Sequence, residues 1–66
     1  MPFVIRRTDQ GGGYVARPDS KHSYVHSVHR ARKYDTREAA VNDRCPENEV
    51  VEDLYVILGM GDKGRT

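Results

Sequence analysis

The chain has few large apolar side chains to build with: Leu, Ile, Val and Phe together number thirteen of its 66 residues. That share lies near the compositional edge below which strongly charged chains stay disordered, but the formal net charge is only +1, so the self-repulsion that completes the condition is missing. A folded domain with a small core is therefore expected. A chain of this length buries only about 60% of the surface that its unfolded form exposes. Roughly ten buried side chains at about 1.5–3 kcal/mol each must then offset backbone ordering at about 1–2 kcal/mol per residue. Association of two copies as a homodimer is one way to supply the missing burial.

The apolar residues fall in short runs separated by turn and helix signals. FVIRRT, residues 3–8, is β-branched and aromatic in front and charged behind, which predicts a strand with Phe3 and Ile5 on one face. DQGGG then reads as a turn, since glycines accept positive φ without steric cost. YVAR follows as a second strand ended by Pro18, so the two form an antiparallel hairpin with a long loop. After PDSKHS, Val28, Ala31 and Tyr34 recur at every third residue, a connector that feeds a third extended piece, ARKY.

DTREAAVNDRC carries the helix signals: Asp35 or Thr36 as cap, and Glu38 three residues after Asp35 as in a capping box. Pro46 takes Cys45 out of helical geometry. The expected helix of about nine residues turns Ala40, Val41 and Cys45 toward a sheet. EVVEDLYVIL closes the pattern as a strand, with Val50, Leu54, Val56 and Leu58 on one parity and Val51, Tyr55 and Ile57 on the other. Apolar residues on both faces place this strand in the centre of the sheet, or between the helix and a second chain. The expected fold is α+β: a mostly antiparallel sheet of three to four strands, in the order β-β-β-α-β, with one short helix packed on it. The domain spans residues 1–58, and residues 59–66 form a mobile tail.

A single cysteine, Cys45, excludes an internal disulfide, and the opening MPFVIRRTDQ lacks the charged and apolar regions of a secretory signal, so a cytoplasmic protein is expected. LYVILGMG is far too short for a bilayer span, which needs about 20 residues, so no membrane association is expected.

Charge is unevenly placed. Residues 1–37 hold eight Lys or Arg against three Asp, leaving +5, and residues 38–66 hold three against seven acids, leaving −4. Local potential, rather than the total, steers association. The basic side chains Arg30, Arg32, Lys33 and Arg37 are candidates for phosphate contacts, with Tyr24, Tyr34 or His29 to stack on bases. The acids Glu47, Glu49, Glu52 and Asp53 are an alternative binding patch on the opposite half, and they also suit edge protection of a strand.

No constellation reads as a reaction centre. His22, His26 and His29 are spaced i, i+4, i+7 and would share a helix face suited to zinc, but no fourth ligand lies near and the serines weaken a helix. Their expected state is hydrated, with no metal. GMGDKG matches the glycine pattern of dinucleotide sites but lacks the helix that the mechanism requires. Cys45 lacks a visible base, and a thiolate at a helix C-terminus is disfavoured by the dipole. The chain is therefore expected to be a non-enzyme, with no catalytic residues and no cofactor.

Over ARKYDTREAAVNDRCPENEVV, the basic extended piece, the aromatic residue, Thr-Arg-Glu, the Ala-rich helix and the Val-rich strand resemble small accessory proteins of bacteriophages and mobile elements. The layout extends over residues 3–58 and is specific over 30–51. Some proteins of this kind and size are anti-CRISPR proteins, which occupy a nucleic-acid or subunit surface of an effector complex rather than do chemistry. The resemblance implies an inhibitory binding protein in the cytoplasm of a bacterial host. Its implied partner is a bacterial protein or ribonucleoprotein complex such as a CRISPR-Cas effector. The near-neutral total departs from strongly acidic DNA mimics. Aromatic and arginine anchors dominate such interfaces, which singles out Tyr14, Tyr24, Arg30 and Arg32, with Lys33 and Arg37 beside them. The alternative is a small protein that binds nucleic acid directly through residues 30–37.

Overall fold

The computed structural model describes the backbone of residues 2–63 and the side chains through residue 59. A four-stranded antiparallel sheet runs in the order β3-β2-β1-β4, with β1 at Phe3–Arg7, β2 at Tyr14–Val15, β3 at Tyr24–Val25 and β4 at Glu49–Asp53. Helix α1 spans Arg37–Asp43, and α2 spans Leu54–Lys63. The α+β class and the hairpin at the start of the chain are as expected.

The turn between β1 and β2 owes its shape to its glycines. Gln10 and all three of Gly11, Gly12 and Gly13 have positive φ, a region that glycine enters freely and most side chains avoid. At Gly13 even a methyl group would lie 3.3 Å from the Val25 carbonyl oxygen, so this residue also lets β3 approach.

β1 is an inner strand, paired with β2 on one side and β4 on the other. Ile5 and Val4 are both fully buried, one on each face, because successive side chains alternate across a sheet. Ile5 packs with Tyr34 and Ala40, and Phe3, Val15 and Val51 close around them. The face that carries Phe3 and Ile5 is thus the one that α1 covers.

The third strand is not where the sequence placed it. The extended pair is Tyr24–Val25, and ARKY touches the sheet only through two isolated bridges, Ala16 to Ala31 and Phe3 to Tyr34. Between them Val28–Arg30 makes a short 3-10 turn, capped by the Ser27 hydroxyl, which accepts from the His29 N–H.

α1 has seven residues, and its cap is Thr36, whose Oγ1 accepts from the Ala39 N–H at 3.1 Å. Asp35 therefore does not form the expected capping box. Only Ala40 is buried in this helix; Val41 is 44% exposed and Cys45 is exposed. At 100° per residue, turning Ala40 inward carries Val41 out of the interface.

The largest departure is at the end of the chain. β4 is an edge strand that stops at Asp53, and the residues read as its continuation form α2. Asp53 causes the switch: its Oδ1 accepts from the N–H groups of Tyr55 and Val56 at 2.8 and 3.4 Å, which caps the helix. Leu54 and Ile57 become half-buried while Tyr55, Val56 and Leu58 face outward. Of the expected tail, residues 59–63 lie in α2 and residues 64–66 lie outside the described residues.

Candidate binding surface

Along β3 and the 3-10 turn runs an open depression of about 580 Å³, lined by His22, Tyr24, Val25, His26, Ser27 and Arg30. Tyr24 is its fixed wall. The Tyr24 hydroxyl donates to Glu49, and the Arg7 guanidinium lies 4.4 Å from the centre of the Tyr24 ring. The hydrogen bond to Glu49 and partial burial together raise the Tyr24 pKa above the usual phenol value. Arg7 is itself held by Asp9 at 2.7 Å, and that hydrogen bond keeps the Asp9 carboxyl below its ordinary range.

Glu49, at the start of β4, is buried and accepts from both the Tyr24 hydroxyl and the Cys45 N–H, the latter at 2.8 Å. Its own carbonyl accepts from Arg44 at 2.6 Å. The two edges of the sheet are thereby tied across one face by a single carboxylate.

The expected basic anchors divide into two groups. Lys33 turns its ammonium back onto the chain and donates to the carbonyls of Val28, His29 and Ala31 at 2.9, 3.3 and 2.8 Å. Desolvation there, with a smaller contribution from Arg17, lowers its pKa. Arg17 donates to the same His29 carbonyl at 3.3 Å. Arg32 pairs with Asp43 at 3.5 Å and lies 5.0 Å from the Tyr34 ring, and Arg37 lies 5.0 Å from the Phe3 ring. Among the described residues, Arg30 has no ion pair or hydrogen bond to its side chain, and it is exposed at the depression. Tyr14 is half-buried inside the sheet, opposite Arg6 and Val25.

The acidic patch does not assemble as one surface. Glu49 is buried, Glu52 pairs with Arg6 at 3.9 Å and Asp53 caps α2, which leaves Glu47 as its exposed member. His22 and His26 lie in bends on either side of β3 and His29 in the 3-10 turn rather than on one helix, so their spacing gives no common face. Among the described residues no three His, Cys, Asp or Glu side chains are grouped to hold a metal ion.

Sequence reasoning did not single out the engagement of Arg7 with Tyr24 and Glu49, because those residues lie in three separate strands. It also missed the outward apolar face of α2, where Tyr55, Val56 and Leu58 are 55%, 53% and 39% exposed. Among the described residues no helix is long and apolar enough to cross a membrane. No family model, curated protein or solved structure matches the chain.

Proposed function

We propose that this chain is a non-catalytic inhibitory binding protein of the small phage type, similar in action to anti-CRISPR proteins. In this reading it covers a functional surface of a bacterial protein or ribonucleoprotein complex in the host cytoplasm. The observation that carries the proposal is the division among its cations. Arg32, Lys33 and Arg37 each have a contact within the fold, and these contacts compete with the phosphate contacts that direct nucleic-acid binding would use. Arg30 remains at an open depression beside a fixed tyrosine, an arginine and aromatic pairing of the kind that anchors protein interfaces. The exposed apolar residues of α2 supply a second surface of the type that partners cover.

The test is stoichiometric inhibition. Purified chain is added to a panel of CRISPR-Cas effector ribonucleoproteins, and target DNA binding is measured. Loss of binding at about one chain per complex supports the reading. Unchanged binding across the panel, together with direct nucleic-acid affinity that falls steeply with salt, overturns it in favour of the nucleic-acid binder.

A further inference from the structure

We infer that the depression beside β3 receives an extended acidic segment of a protein partner, laid along the free edge of the sheet with a carboxylate at Arg30. This rests on the binding reading above and names the chemistry that the surface would recognise.

Ala16 N–H donates to the Ser23 carbonyl, and Tyr14 faces Val25, so Ser23 and Val25 use their backbone groups toward β2. In an antiparallel pair the intervening residue faces the other way. Tyr24 therefore presents its N–H and carbonyl to the outer side of the edge strand, and among the described residues nothing bonds to them. An edge of this kind accepts an added strand through main-chain hydrogen bonds, while adjacent pockets select its side chains.

The chemistry of the selection follows from the lining. His22, His26, Ser27 and Arg30 offer donors, Lys21 is exposed next to them in the chain, and among the described residues no carboxylate lines the depression. Arg30 is available because Lys33 and Arg17 satisfy the carbonyls of the turn in its place. A guanidinium with a planar fork of donors matches a carboxylate in two parallel hydrogen bonds. An extended segment with acids at alternate positions would place all of them on one face.

The probe is a short capped peptide alternating glutamate and threonine, titrated into the isotope-labelled chain and followed by amide shifts. Its lysine counterpart and a short oligothymidylate are run in parallel. The expected result is saturable movement of the Tyr24, His26 and Arg30 amides with the glutamate peptide alone, weakened about tenfold or more by Arg30→Glu and partly restored by Arg30→Lys. Arg30 is exposed, so both variants should keep the spectrum of the folded chain. Equal movement with the lysine peptide, tighter binding of the oligonucleotide at these amides, or no movement overturns the inference. So does movement of the same amides with protein concentration alone, since a second copy would then occupy the edge. Inhibition of an effector complex that survives Arg30→Glu removes this inference and leaves the proposed function standing. Peptide binding without inhibition does the reverse.

Discussion

Two side chains concentrate the polar energetics of this small fold. Glu49 is buried with two donors directed at it, the Tyr24 hydroxyl and the Cys45 N–H. Replacing it by alanine leaves both donors without an acceptor, and hydrogen bonds to charged groups contribute about 1.5–3 kcal/mol each. Glu49→Ala should therefore lower stability in urea unfolding by at least about 1.5–3 kcal/mol, the contribution of one such bond. Combined with Tyr24→Phe the loss should be less than additive, because both changes remove the same bond. Strict additivity would show that the two groups are not coupled. Tyr34 makes the second case. Burial, followed by its 2.5 Å hydrogen bond to Asp43, pushes its pKa up to about 12. A phenol whose folded pKa exceeds the unfolded value stabilises the native state fully below about pH 10 and loses that contribution as pH climbs through the folded pKa. Melting should fall steeply between about pH 10 and 12, by up to about 2–3 kcal/mol from this group, with Tyr24 adding in the same direction. Tyr34→Phe should be less stable at neutral pH by about 1 kcal/mol and should flatten the alkaline limb. An unchanged alkaline slope in that variant would remove Tyr34 as its source.

At the scale of elements, legibility depended on whether a local signal had a competitor. The glycine triplet had none, since three adjacent glycines after a charged strand end suit little but a turn, and all three adopt positive φ. Thr36 was one of two possible caps beside a clear helical run, so the helix was readable and its cap was not. In EVVEDLYVIL the signals conflicted. Its alternation fits a strand over ten residues, while Asp53 followed by leucine, tyrosine and valine also fits a capped helix start. The cap prevailed once β4 had used its pairing with β1, because Phe3 opposite Asp53 is the last pair of the strand. Asp53→Ala should then cost about 1 kcal/mol and reduce the helical circular dichroism, with little effect on β4. Full helical signal in that variant would show that α2 forms without its cap. The binding surface was the least legible part. Arg30 was identified by type, but its availability depends on where Lys33, Arg17 and Arg32 find partners, and those contacts join residues that only the fold brings together.

For the molecule as a whole, the scarcity of large apolar residues becomes a core in which, among the described residues, the largest fully buried side chains are Val4 and Ile5, supplemented by Tyr34 and three alanines. Alanines let chains approach closely but bury little area, so stability should lie toward the low end of about 0.05–0.15 kcal/mol per residue. Ile5 then matters out of proportion to its size, because the cluster it forms with Tyr34 and Ala40 gathers Phe3, Val15 and Val51 from β1, β2 and β4. Truncation to alanine in a packed site costs about 2–5 kcal/mol, the removed atoms and the cavity both contributing. Ile5→Ala should leave much of the chain unfolded at 37 °C, whereas Ile5→Val, which removes one methylene, should lose about 0.5–1.5 kcal/mol and stay folded. Tyr55→Ala is the informative contrast, since a side chain 55% exposed on α2 should change stability by no more than about 0.5 kcal/mol. Were Tyr55→Ala as damaging as Ile5→Ala, the outer face of α2 would have to be covered in solution. Copies of the chain would be the cover if the loss disappeared on dilution of the unmodified protein, because burial gained by association is linked to concentration and burial within one chain is not.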